Sequence, residues 1–293
     1  MEGLRLPSIF HLNLAASEVI SSGFSRCLSL LETTAVADGR GPTRARRSRC
    51  PTIRAVNLAG PDRPCTHDMS DQPTPATLAP GALLDSDHPA VVDFARRHAS
   101  GSSSRQRAVA LYYAVRDGFR YDPYRIDLSP AGMRASGVID IGVGWCVTKA
   151  ALLAAAARAA GIPARVGYAD VRNHLSTERL RRTMQTDIFV WHGYVELWLD
   201  GAWRKCTPAF NIELCDRFGL LPLDFDGVAD SLYHPFDKTG QRHMEYVAQH
   251  GSFDDVPLPR IIDGFRAAYP NWVEAAGAGG GADFDADVAR EIR

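Results

Sequence analysis

The chain has 293 residues, 45% of them hydrophobic and 23% charged, the proportions of an ordinary globular protein. Arg and Lys total 33 against 34 Asp and Glu, a net charge of −1, which offers a nucleic acid or an anionic membrane no electrostatic hold. No apolar run reaches the length of a bilayer span, and Leu14–Leu31 is broken by Glu18 and Arg26, so no membrane partner is expected and a cytoplasmic location is the default.

Residues 1–68 carry Cys27, Cys50, Cys65 and the basic run Arg44, Arg46, Arg47, Arg49, without a sustained helical or strand period. They read as a disordered N-terminal extension, with Met69, followed by a Pro-rich leader, a natural translation start. A nucleic-acid arm is the weaker reading, because no aromatic residues interleave the basic ones. The six cysteines have neither zinc-ligand spacing nor the density of a disulfide scaffold, so free thiols and no metal or cofactor are expected.

Order is expected from Ser86 or Asp87, which can cap a helix whose first turn holds Pro89 and whose apolar side is Val91, Val92, Phe94 and Ala95. A second helix is predicted from Ser104 to Arg116, with Gly118 at its end. Residues 121–143 read as a loop. Gly144-Trp145-Cys146 then opens an Ala- and Leu-rich helix over 147–160, closed by Gly161 and Pro163. A short strand follows at Ala164–Tyr168, then an exposed, Arg-rich excursion over 171–186. Ile188–Leu199 and Ala202–Phe210 form a hairpin about the Asp200-Gly201 turn, of type I′. Beyond Phe210 the signals weaken, and residues 271–293 read as a flexible Gly-rich tail after a domain spanning 69–270.

Cys146 stands where free backbone N–H groups and the positive end of a helix dipole favour a thiolate and can hold an oxyanion. His192, on the first hairpin strand, is the candidate base. With a two-residue turn, Leu199 faces Ala202, Trp198 faces Trp203 and Glu196 faces Lys205. One sheet face then carries His192, Tyr194, Glu196, Trp198, Trp203, Lys205 and Thr207, with Asn211 beyond. The other, apolar face carries Trp191, Val195, Leu197, Leu199, Cys206 and Phe210. This register makes Thr207 and Asn211 the expected orienting partners of His192. Trp145 and Tyr194 are the candidate substrate contacts. His234, His243 and His250 match no metal motif, and Asp224, Asp226 and Asp230 lack the closing Glu of a calcium loop.

Here the sequence resembles a family. Gly144-Trp145-Cys146-Val147-Thr148-Lys149-Ala150, with Gly161-Ile162-Pro163-Ala164-Arg165 and Gly167-Tyr168 after it, is similar to the cysteine motif of the transglutaminase-like superfamily. His192, Val195-Glu196, Asp200-Gly201, Trp203 and Thr207-Pro208 resemble its histidine-to-aspartate hairpin, and Arg116-Asp117 with Tyr121-Asp122 resembles the helix and turn that precede the motif. The resemblance implies an α+β, papain-like core with N-terminal helices and the Cys-bearing helix packed on an antiparallel sheet. It implies Cys146 as nucleophile, His192 as base, and hydrolysis or acyl transfer at the amide of a peptide or protein. One position departs: where the family carries its Asp, fifteen residues after the His, this chain has Thr207. A catalytically silent relative that binds a peptide or protein in the same cleft is the alternative.

Overall fold

In the computed structural model, the described residues are 71–173, 176–232, 238, 244–269 and 283–291. Contacts divide the chain into units of residues 1–64 and 65–293. The first unit lies outside the described residues, as does the expected disordered extension over 1–68.

The second unit is an α+β fold. Its helices are α1 (Pro89–His98), α2 (Ser104–Gly118), α3 (Ala135–Ile141), α4 (Cys146–Ala159), α5 (Glu178–Met184), α6 (Ile212–Phe218), α7 (Leu258–Ala268) and α8 (Phe284–Glu291). Its strands are β1 (Arg120–Tyr121), β2 (Val143–Gly144), β3 (Ala164–Asn173), β4 (Ile188–Leu199), β5 (Ala202–Cys206) and β6 (Met244–Phe253). The last four make one antiparallel sheet in the order β5-β4-β3-β6.

Helix α4 lies between this sheet and helices α1, α2 and α3. Every residue from Cys146 to Arg158 is buried, which explains a composition that is apolar all round rather than on one stripe. Alanine allows neighbours to approach the helix axis closely and has the highest helix propensity. Arg158 resolves its own burial by donating to the carbonyls of Ala79, Ala164 and Asp254, so its fork ties the helix end to two loops.

Helix α2 begins in a capping box: Ser103 Oγ accepts from Gln106 N, and Gln106 returns to the Ser103 N–H. Helix α1 starts one residue later than expected. His88, not Ser86 or Asp87, is the N-cap, its ring accepting from Ala90 N. Val91, Phe94 and Ala95 are buried, whereas Val92 is exposed.

The hairpin turn has Asp200 at φ 51 and Gly201 at φ 84, the type I′ signature. Leu199↔Ala202, Trp198↔Trp203 and Glu196↔Lys205 pair as expected. Strand β5, however, stops at Cys206 instead of reaching Phe210. The Thr207 N–H leaves the ladder for the carbonyl of Ser231, which forms a parallel bridge with Cys206. Other boundaries shift for similar reasons. Residues 121–143 are not all loop: α3 forms there, and β2 pairs in parallel with β1 through Tyr121↔Gly144. Strand β3 runs to Asn173 because β4 and β6 satisfy both its edges. The excursion after it contains α5, which buries Leu180 and Met184.

The expected flexible tail over 271–293 needs the same correction. Within it, α8 buries Phe284, Asp287 and Val288. Asp287 accepts from Tyr124 Oη at 2.9 Å and pairs with Arg179 at 2.9 Å, so Arg179 holds this helix rather than pointing into a solvated loop. Among the described residues no helix is long and apolar enough to cross a membrane.

Candidate active site

Strands β1 and β2 deliver the chain to Cys146, the first residue of α4. Thr148 Oγ1 accepts the Trp145 N–H at 3.1 Å and so closes the helix start. Strand β4 crosses this helix end at Gly193. A Cβ there would stand 2.9 Å from Val147 Cα and 3.1 Å from the Cys146 carbonyl oxygen, so only glycine permits the approach.

The backbone N–H groups of Gly193, Val147 and Cys146 itself act to lower the Cys146 thiol. They favour a thiolate, as expected for a helix N-terminus. Burial nevertheless outweighs them and pushes the thiol up to about 11. The net direction is thus opposite to the lowered thiol expected from a helix start alone. Tyr121 and Tyr168 are held well above the usual phenol range, first by burial and next by the facing thiolate charge. Tyr168 pairs with Gly193 across the sheet, and its buried Oη has no hydrogen-bond partner among the described residues.

His192 is the residue before Gly193, is buried, and pairs with Ala169. It lines a small recess together with Thr207, Ala209 and Phe210. The residue before it is strained: Trp191 has φ 57, outside the range that side chains other than Asn, Asp or His tolerate readily. The strain has visible support. The Trp191 N–H donates to Asp170 Oδ1 at 3.0 Å, where the β3 register shifts. The indole stacks on the His250 ring at 4.2 Å and 3°, and His250 Nε2 meets Asp170 Oδ1 at 2.6 Å. Gly264 makes room for the indole, since a Cβ there would lie 2.1 Å from Trp191 Nε1. No sequence pattern joined these residues.

The other expected site residues are placed differently from their anticipated roles. Thr207 shares the His192 recess, but its Oγ1 is buried with no hydrogen-bond partner among the described residues. It does not orient the ring, because β5 has already ended and only its backbone is engaged, to Ser231 and Tyr112. Asn211 caps α6. Its Oδ1 accepts from Tyr121 N at 3.1 Å and its Nδ2 donates to Glu213 at 2.7 Å, so the amide braces β1 instead of His192. Trp145 is buried against Phe265 and Tyr194 lies flat over Gly167; both are packing residues, not open substrate contacts. Cys206 is fully buried, as its place on the apolar face requires.

Among the described residues no group of three His, Cys, Asp or Glu side chains is placed to hold a metal ion. His234 and His243 lie outside the described residues. Asp224, Asp226 and Asp230 serve local bonds, to Tyr113 and Arg116, to the backbone of Val228 and Ala229, and to Lys205 N.

Residues 92–208 match the model of the transglutaminase-like superfamily. The matched segment contains the cysteine helix, the histidine strand and Thr207. A search of curated proteins gives no match. Among solved structures, a candidate cysteine protease from Cytophaga hutchinsonii is 17% identical, with TM-score 0.38 over 61% of this chain and 46% of its own. A candidate protease from Parabacteroides distasonis ATCC 8503 is 17% identical, with TM-score 0.29 over 45% of this chain and 30% of its own. The chain thus spans less than half the length of either neighbour. Within the matched segment the cysteine helix and the histidine strand meet at Cys146 and Gly193.

Proposed function

We propose that this chain is a transglutaminase-like cysteine enzyme that hydrolyses or transfers acyl groups at amide bonds of a peptide or protein, with Cys146 as nucleophile and His192 as base. One observation carries the reading: Cys146 opens α4 where strand β4 comes against that helix start at Gly193, the chain neighbour of His192. Because burial raises the thiol, the imidazole takes its proton as the sulfur attacks the carbonyl carbon. The C–N bond then breaks and the amine departs with that proton, leaving a thioester on Cys146. Water or a second amine attacks the thioester, which releases acid or a new amide and restores the thiol. Free backbone N–H groups of the first turn of α4 serve the oxyanion in this reading.

The test uses the full chain with denatured casein as acyl donor and hydroxylamine as acceptor. Hydroxamate should form, vanish in Cys146→Ala, and fall by about 10²–10⁴ in His192→Ala, the usual worth of a positioned base. Hydroxamate formation that survives in Cys146→Ala would remove the nucleophile. The second reading, a silent binding module, draws on the raised thiol and on the unpartnered Thr207 Oγ1 where the family has its carboxylate. It requires that the wild type bind casein peptides without turning them over.

A further inference from the structure

The strand that carries His192 is irregular just before it. On β3, Ala169 and Val171 are separated by one residue; their β4 partners, His192 and Phe189, are separated by two. Val190 and Trp191 thus stand opposite Asp170 alone, the arrangement of a β-bulge. Opposed residues share a face, and so do alternate residues of one strand. His192 therefore lies on the same face as Phe189, three residues before it, whereas an unbroken strand would give the two opposite faces. The extra residue sets the face to which the imidazole is turned.

Side chains take the hydrogen bonds that the ladder leaves open. The Val190 N–H donates to Tyr269 Oη at 2.7 Å, and the Trp191 N–H to Asp170 Oδ1 at 3.0 Å. Strand β6 bulges in turn on the other side of β3. Tyr168 and Ala169 are adjacent, but their partners Gly251 and Gln249 have His250 between them. The two bulged residues meet, with the Trp191 indole stacked on the His250 ring. Asp170 joins them, because its Oδ1 also meets His250 Nε2 at 2.6 Å. A carboxylate can only accept, so Nε2 carries the hydrogen. One oxygen thus holds the backbone of one bulge and the ring of the other. Without it, Trp191 at φ 57 would relax toward an ordinary strand conformation. Strain of this kind persists only where the surroundings over-determine it, and bulges beside active sites re-aim a side chain.

We propose that Asp170 and His250 are positioning residues for His192, acting through Trp191: the paired bulges fix the backbone from which the imidazole is presented. The proposal rests on the reading of His192 as base. Their role is to aim that base, not to exchange a proton themselves. A misplacement of about 1 Å costs on the order of 10² in rate, so the effect belongs in kcat rather than in KM.

A double-mutant cycle tests this, read as hydroxamate formation by the full chain from denatured casein and hydroxylamine. Every variant is assayed at a temperature where circular dichroism shows it folded. Asp170→Ala should lower kcat by about 10² and leave KM for casein little changed. Asp170→Asn, whose amide oxygen can accept both bonds, should keep most of the activity. His250→Ala should lower kcat as well, and it carries the same cycle if Asp170→Ala does not fold. In the His192→Ala background, Asp170→Ala should cost nothing further, because a residue that acts only through the base has no effect once the base is gone. An equal loss from Asp170→Ala in both backgrounds, or an undiminished kcat in Asp170→Ala, overturns the positioning role and leaves His192 standing. If His192→Ala keeps full activity, or the wild type forms no hydroxamate, the base reading fails and the positioning role with it.

Discussion

Gly193→Val should destabilise the folded chain by on the order of 3 kcal/mol, at the upper end of the cost of overpacking a core. The reason is the nature of the obstacle. The new Cβ would meet Val147 Cα at 2.9 Å and the Cys146 carbonyl at 3.1 Å, and neither belongs to a side chain that can rotate away. Strand β4 or helix α4 must therefore shift. On the usual scale for a domain of this size, about 2–4 °C per kcal/mol, the melting point should drop by roughly 10 °C. The same shift withdraws the Gly193 N–H from the Cys146 sulfur, so hydroxamate formation should be lost even at temperatures where the variant remains folded. Thermal melts with activity at 20 °C check both. A variant that melts like the wild type would show that the helix and strand are not in contact at this point.

Lys149→Met should change how stability depends on pH. The Lys149 side chain is fully buried, and its Nζ donates to the carbonyls of Arg116 and Phe119 at 2.8 and 2.6 Å. It thus closes the C-terminal end of α2, where carbonyls lack helical partners. Burial, which the Asp117 carboxylate only partly offsets, pushes the amine down to about 7. In the unfolded chain the same amine holds its proton to about pH 10.4. Between these values the unfolded state binds more protons, so the folded state gains stability as pH rises and forfeits it as pH falls through about 7. From pH 7 to 8.5 the contribution of this one group is on the order of 1–2 kcal/mol. The raised Cys146, Cys206 and Cys215 thiols act in the opposite sense as pH approaches about 8.5, where unfolded cysteine titrates, and the raised tyrosines do so at higher pH. Urea titrations at pH 7 and 8.5 should show the wild type gaining stability over this interval relative to Lys149→Met, since the thiols act alike in both proteins; the variant also leaves two buried carbonyls unpaired at about 1–3 kcal/mol each. An equal pH slope in both proteins would assign the gain elsewhere.

The features legible in the sequence are those governed by neighbours along the chain. The Ala-rich run after Cys146, the Gly161 stop, the Asp200-Gly201 turn and the paired Trp198 and Trp203 all follow from local propensity and period. What was hidden depends on distant partners. Strand β5 ends early because Ser231 captures the Thr207 N–H, and the expected bonds from Thr207 and Asn211 to His192 fail with it. The support beneath His192 joins Trp191 to Asp170 and His250, the last two 80 residues apart. Helix α8 is held through Arg179 and Tyr124, neither of which a Gly-rich tail would suggest. Lys149 did leave a trace: in a chain with lysine only at positions 149, 205 and 238, one of them stands inside the most apolar helix. That placement is the mark of a specific partner rather than of a solvated surface.

The central claim is that a substrate acyl group passes through Cys146, and trapping that group tests it most directly. The full chain is mixed with a peptidyl p-nitrophenyl ester, quenched in acid within seconds, and weighed intact before the adduct is mapped. One acyl group should be found on Cys146, released by hydroxylamine as a thioester is, and absent from Cys146→Ala. An adduct on Cys206 or Cys215 instead, or an unmodified Cys146 while the ester is consumed, would contradict it.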